Sequence, residues 1–343
     1  MKKRVLIFGS GSVGTHHANA ALSLNCEVFI TDKKSSQLTN MKENTYPSRY
    51  GYWDNKINCI NYKDVFKLKY NFDLITIGVP PKFHLKLAKL CLKKLKFKKI
   101  LIEKPLCVFN ENYDFLKKKD MRNKVYCGFN HSISKSFRHF LGELKKISKK
   151  KEIQVDIEWK ESFDLVLKAH PWLKSLNDSY LSNFRLGGGA SHEYSHAVHF
   201  FLILKQIIFN EKNPKLLIKI NFCKSGKNKY DKKVQLSCLD GSKTINLFLN
   251  TINNPPIKKV KVMLKNKNIL FWSRHLDKNV EIVNSRIKIL KKINFKISRR
   301  EDFINEFKIL LLKKNENKNF KYLKLEYATQ VMLLLRKIYI QNV

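Results

Sequence analysis

Three short stretches of the chain hold residue types at spacings that can do chemistry. Gly9-Ser10-Gly11-Ser12-Val13-Gly14 has the spacing G-x-G-x-x-G, directly after an apolar run from Arg4 to Phe8 and before helical character from about Val13 to Leu24. In that context the first glycine allows a tight turn, the second lets backbone approach a pyrophosphate, and the third permits close helix–strand packing. The helix N-terminus offers unpaired N–H groups and a positive dipole end to phosphate. Gly9, Gly11, Ser12, Val13 and Gly14 are therefore expected to hold a dinucleotide. Asp32 closes the next strand, 18 residues after Gly14, where a carboxylate accepts hydrogen bonds from a ribose. It favours NAD, whereas Lys33 and Lys34 keep a 2′-phosphate, and so NADP, open.

Glu103-Lys104-Pro105 ends a strand at the carboxyl edge of the sheet, where open α/β folds bind ligands. Pro80 and Asn130, each following another strand, are expected at the same edge. The third stretch, Gly187-Gly188-Gly189 running into Ala190–His199, feeds three glycines into a helix that carries polar side chains among apolar ones. His196 follows Glu193 by three residues, within reach on one helical face, and a carboxylate-held His is a general base near neutral pH. His192-Glu193-Tyr194-Ser195-His196 also satisfies H-E-x-x-H, the zinc-hydrolase spacing. Three His on one helix cannot surround one ion, because the first and third are about two turns apart. No partner motif supplies a further ligand, so no metal is expected.

The elements that must position these residues change character along the chain. Up to about residue 125, apolar strands (Arg4 to Phe8, Glu27 to Thr31, Phe72 to Val79, Lys99 to Ile102, Val125 to Phe129) alternate with helical stretches such as Phe83 to Leu95, in the manner of βαβ units. From about Ile153, short runs joined by Gly, Asn and Pro turns predict an antiparallel sheet: Ile153 to Trp159, Leu216 to Cys223, Val234 to Leu239, Thr244 to Leu249 and Val260 to Leu264. A helix from Ala190 to Ile208 interrupts it, and helices at Arg300 to Lys313 and Leu325 to Tyr339 follow. The expected architecture is α/β: a Rossmann domain with a doubly wound parallel sheet over 1–125, then an α+β domain with a large, mostly antiparallel sheet over 126–343.

Composition sets the outer bounds. The 343 residues suggest two domains, and a hydrophobic fraction of 43% with 23 Phe argues against disorder. No apolar run approaches a membrane span, and Gly9 ends the apolar start after four residues, so neither an anchor nor a signal peptide is expected. Seven scattered Cys without a CxxC pair suggest no disulfide framework, which suits the cytoplasm. The net charge of +40 is the footprint of a nucleic-acid binder. The lysines, however, are spread along the whole chain alongside abundant Asn and Ile, as AT-rich codon usage produces, and no nucleic-acid partner is expected.

Taken in order, the motifs resemble the Gfo/Idh/MocA family, the glucose–fructose oxidoreductase and inositol dehydrogenase family of nicotinamide-dependent enzymes, essentially end to end. Gly9, Gly11, Gly14 and His17 fall on its first motif, Pro80 and His84 on its second, Glu103-Lys104-Pro105 on its E-K-P signature, and Gly128 and Asn130 on its G-Y-N element. The HPW at 170–172, Ser179-Tyr180 and the Gly triplet resemble a subgroup associated with surface-polysaccharide and acidic-sugar biosynthesis. The resemblance implies Lys104, His196 and Glu193 as catalytic residues. It places the cofactor against the glycine loop, Asp32, Pro80, His84, Glu103 and Lys104, and a sugar or nucleotide-sugar substrate against Asn130, Tyr180 and His192. It also implies a homodimer or homotetramer. Ser132, Glu193 and His199 depart from the family's usual Arg, Asp and acid. The competing reading is a nucleotide-binding regulatory protein that has lost its chemistry.

Overall fold

The computed structural model describes residues 2–168, 173, 175–210, 214–264, 269–274, 279–283, 289–295, 298–312 and 318–340; the HPW at 170–172 lies outside them. The chain divides into two compact units. The first comprises Met1–Cys107, Glu111–Ile133 and Ser298–Thr329, and the second Val108–Asn110, Ser134–Ile297 and Gln330–Val343.

In the first unit six strands form a parallel sheet in the order β3-β2-β1-β4-β5-β6. These are β1 (Arg4–Phe8), β2 (Glu27–Thr31), β3 (Ile57–Cys59), β4 (Asn71–Ile77), β5 (Lys96–Ile102) and β6 (Val125–Cys127). Their centres are continuous apolar runs because both faces are covered: Val5, Leu6, Ile7, Leu74, Ile75, Ile100 and Leu101 have no exposed surface. The order reverses between β1 and β4, which makes the carboxyl ends of these two strands the switch point of a doubly wound fold. β3 escapes sequence reading because it is three residues long with two of them exposed.

Helix Arg299–Leu311 also belongs to this unit and packs on helix Ser12–Ser23. Ser298 caps it by accepting the Glu301 N–H at 3.0 Å, and Glu301 and Asp302 favour its positive end. The Phe303 ring stacks on His16 with centroids 4.9 Å apart, and Phe307 lies 5.3 Å from His17. Arg300 donates to the Asn19 side chain at 2.8 Å.

The second unit is built on an eight-stranded sheet in the order β14-β13-β12-β11-β7-β10-β9-β8. Its strands are β7 (Ile153–Lys160), β8 (Lys215–Ser225), β9 (Asn228–Asp240), β10 (Lys243–Asn250), β11 (Ile257–Leu264), β12 (Ile269–Ser273), β13 (Asn279–Val283) and β14 (Ile289–Asn294). Only β7 and β10 run parallel; every other neighbouring pair is antiparallel. Alternation does the sorting: Ile153, Val155, Ile157 and Trp159 are buried, while Asp156, Glu158 and Lys160 between them are half-buried. Helices Lys135–Ile147 and Ser195–Phe209 pack on the sheet. The expected continuous helix from Ala190 to Ile208 is two pieces, Ala190–Glu193 and Ser195–Phe209, broken at Tyr194 with φ −97° and ψ 31°. Among the described residues no helix is long and apolar enough to cross a membrane.

Candidate active site

In the first unit the glycine loop is as tight as its spacing predicts. Gly9 sits at φ +98°, and a Cβ there would lie 2.6 Å from the Gly78 carbonyl oxygen; one on Gly14 would lie 1.8 Å from the Gly9 carbonyl oxygen. Val13 packs on Gly78, which brings the loop against the end of β4. Helix Ser12–Ser23 starts after Gly11 with no side-chain cap and no acid in its first turn. Ser12 is buried, and its hydroxyl has no protein partner. A glycine cradle, uncapped N–H groups, a positive dipole end and an orphaned hydroxyl fit the pyrophosphate of a dinucleotide.

Asp32 stands at the end of β2 as expected. One carboxylate oxygen accepts from both the Ser10 N–H at 2.9 Å and the Ser10 hydroxyl at 3.1 Å, and the other accepts the Lys34 N–H at 3.0 Å. Asp32 therefore holds the loop in shape while remaining half-exposed beside the exposed Lys33 and Lys34.

At the end of β5, Lys104 is half-buried, and its N–H donates to the Glu103 carboxylate at 3.3 Å. Glu103 is buried and bonded to His17 Nε2 at 3.1 Å, while His17 Nδ1 meets the Thr76 hydroxyl at 3.1 Å. Gly128 leaves room for this: a Cβ there would lie 2.6 Å from Glu103. Glu306, on helix Arg299–Leu311, faces the same cluster with no exposed surface. Burial pushes its carboxyl well above the usual range, helped by repulsion from Glu103 and Asp302. His84 is fully buried, with ring nitrogens 2.7 Å from the Val79 carbonyl and 2.9 Å from that of Pro105. It staples two strand-end turns, and burial holds its pKa down against the pull of those carbonyls. Pro80 is exposed in the first of those turns. Asn130 is buried with its side-chain carbonyl unpartnered, while Ser132 donates to the Phe129 carbonyl at 2.7 Å.

In the second unit the glycine triplet has a steric cause. A Cβ on Gly188 would lie 2.0 Å from the Tyr180 carbonyl oxygen, and one on Gly189, at φ +88°, 1.8 Å from a carboxylate oxygen of Asp231. Asp231 accepts the Ser191 N–H and hydroxyl, both at 2.7 Å, on one oxygen and the Tyr339 hydroxyl at 2.5 Å on the other. Since the Tyr339 proton goes to Asp231, its oxygen accepts from His192 Nδ1 at 2.9 Å. Burial pushes Asp231 up to about 6, partly offset by these hydrogen bonds, and holds His192 down to about 3. Sequence reasoning missed Asp231 and Tyr339. No sequence signal marked Asp231, which stands among Lys229, Lys232 and Lys233; its burial next to the buried Tyr230 breaks strand alternation.

Tyr180 donates to Glu193 at 3.3 Å, and both are half-buried. The break at Tyr194 removes the continuous helical face on which Glu193 was expected to orient His196. His196 is half-buried and lies over Trp159, with ring centroids 6.2 Å apart and planes 26° from parallel. The same break separates the H-E-x-x-H spacing into two helical pieces, His192 and Glu193 in the first and His196 and His199 in the second.

A 3-2-1-4-5-6 parallel sheet with a glycine loop after β1 and an acid after β2 defines an NAD-binding Rossmann fold. Residues 3–131 match the family model described as "Oxidoreductase family, NAD-binding Rossmann fold", Gfo/Idh/MocA. No curated protein sequence matches the chain. Among solved structures, a levoglucosan dehydrogenase in complex with NADH and levoglucosan matches with a TM-score of 0.73 at 11% identity, covering 99% of this chain and 97% of its own. An inositol dehydrogenase homologue from Azotobacter vinelandii complexed with NAD+ matches with a TM-score of 0.72 at 12% identity, covering 100% and 96%. A UDP-N-acetylglucosamine 3-dehydrogenase from Acidithiobacillus ferrooxidans matches with a TM-score of 0.64 at 10% identity, covering 99% and 97%. At these identities the likeness is one of fold.

Proposed function

We propose that the protein is an NAD(P)-dependent dehydrogenase acting on a carbinol or keto group of a sugar or sugar derivative, in the biosynthesis of surface polysaccharide. The observation that carries this reading is the uncapped helix start at Gly11–Gly14, on the same sheet edge where β5 delivers Lys104. A bound nicotinamide supplies the hydride acceptor, and the protein supplies alignment and proton handling. Lys104 donates to the reacting oxygen and stabilises its developing charge; His196 takes the hydroxyl proton, and Glu193 holds His196 in orientation. Asn130, with its unpartnered carbonyl, Tyr180 and His192 bind substrate. Asp32 favours NAD. The fold neighbours that carry NAD or NADH and are named for sugar-like substrates support the assignment. All seven cysteines are free thiols, which suits a cytoplasmic enzyme. A second copy of the chain is expected to pair through the outer face of the large sheet.

Calorimetric titration with NADH and NADPH at moderate salt tests the first step, and micromolar binding, tighter for NADH, is expected. Lys104→Ala and His196→Ala should then lower turnover of a responsive sugar by roughly a hundredfold or more while leaving nucleotide affinity unchanged. Failure of either nucleotide to bind would overturn the assignment.

A further inference from the structure

His17, Glu103 and Glu306 come from three separate elements of the first unit and present one imidazole nitrogen and two carboxylates to a common point. Their nearest ligand atoms all lie within 4.8 Å of one another. His17 and Glu306 have no exposed surface and Glu103 has 6%. Both carboxylate oxygens of Glu306 lack any hydrogen-bond partner, a costly state for a buried acid. The charges near it make this stranger: Glu103 and Asp302 are the groups acting on Glu306, both acidic. In a chain with an excess of forty positive charges, no lysine or arginine among the described residues forms an ion pair with it.

We propose that His17, Glu103 and Glu306 form a buried structural site for a divalent cation of the zinc class. Two carboxylates and a neutral imidazole carry two negative charges, which a divalent ion cancels. The mixed nitrogen and oxygen donor set suits zinc and disfavours magnesium and calcium, which take oxygen donors. His17 Nε2 and Glu103 Oε1 are 3.1 Å apart. That is close to the separation of roughly 3.3 Å between tetrahedral ligands bonded at about 2.0 Å. The two free oxygens of Glu306 allow bidentate binding, which completes four positions. His17 Nδ1 meets the Thr76 hydroxyl at 3.1 Å, the outer bond that fixes a ligating histidine with Nε2 toward the metal. Phe303 and Phe307 pack on the His17 ring and keep the point dry. The ion would tie helix Ser12–Ser23, the end of β5 and helix Arg299–Leu311 together, one residue from Lys104.

The test uses the full-length, untagged protein. After exposure to chelator and reloading with zinc chloride, elemental analysis should find one equivalent of zinc retained on the wild type. Glu306→Gln, an isosteric neutral replacement, should lose it, with affinity falling at least tenfold to a hundredfold. Cobalt in its place should give the intense visible bands of a four-coordinate ion in the wild type and not in Glu306→Gln. Zinc should also raise the thermal midpoint of chelator-treated wild type, a readout that stands even if the variant fails to fold. Absence of stoichiometric zinc, retention of zinc by folded Glu306→Gln (which would place the ion on surface thiols), or an unchanged midpoint would each overturn the proposal and leave Glu306 as a protonated acid.

Discussion

The two glycine clusters are alike in sequence and opposite in use. Each precedes a helix, and each stands beside an aspartate that accepts both the N–H and the hydroxyl of a serine on one oxygen, Asp32 with Ser10 and Asp231 with Ser191. In the first unit the aspartate braces the loop from the side, and the helix start at Ser12 keeps its N–H groups uncapped. In the second the aspartate occupies the helix start itself, taking the Ser191 N–H and filling the space a Gly189 side chain would need. A ligand site and a structural lock can thus be made from the same parts. The difference lies in whether the protein's own carboxylate or an outside anion answers the helix N-terminus.

Glycine substitution should break the comparison most sharply. Gly189→Ala places a methyl against Asp231 at a positive φ and should destabilise the protein by roughly 3 to 5 kcal/mol in urea titration. Adding Asp231→Ala should make the pair less damaging than the sum, because the obstacle is a side chain. Gly14→Ala meets a backbone carbonyl instead, so no such partner exists, and nucleotide affinity should fall along with stability.

Titration separates the two aspartates next. Asp231, raised to about 6, holds a proton between about pH 4 and 6 that the unfolded chain has released. Stability from this group therefore falls as pH rises through that window, by about 3 kcal/mol in all. His192, lowered to about 3, works in the opposite sense: the unfolded chain binds the proton, so stability rises with pH up to about 6.5. Relative to the wild type, Asp231→Asn should gain stability with rising pH and His192→Gln should lose it. Profiles for both variants that run parallel to the wild type would show that the network does not titrate. The smallest effect belongs to Ser10→Ala, which removes one of the two bonds to Asp32 and should cost about 1 kcal/mol in the same unfolding assay.

Much of the first unit was legible because its signals are local. The glycine spacing, the continuous apolar strands and the acid at the end of β2 are set by neighbours in sequence, and β1, β2, β4 and β5 end where expected to within a few residues. What escaped was set by distance. Asp231 and Tyr339 lie far from the triplet they brace, and a lone acid in Lys229–Lys233 reads as a surface charge. Glu306 sits in a helix whose pattern announces only amphipathicity. Tyr194 carries no breaker signature, so the interruption between Glu193 and His196 was invisible, and with it went the argument that one helical face carries both. Strands β12, β13 and β14 are short runs between polar stretches, too brief for alternation to declare itself.

Residues 298–329 belong with the nucleotide-binding sheet, although the second unit's strands are encoded before them. During synthesis the six parallel strands leave the ribosome long before the helix that covers His16 and His17. At about 5 to 20 residues per second the wait is on the order of ten to thirty seconds. Through that interval the face of Ser12–Ser23 meant for Phe303 and Phe307 stays uncovered. The newborn first unit therefore waits for its own closing helix, and its maturation is timed by translation of the segment inserted within it.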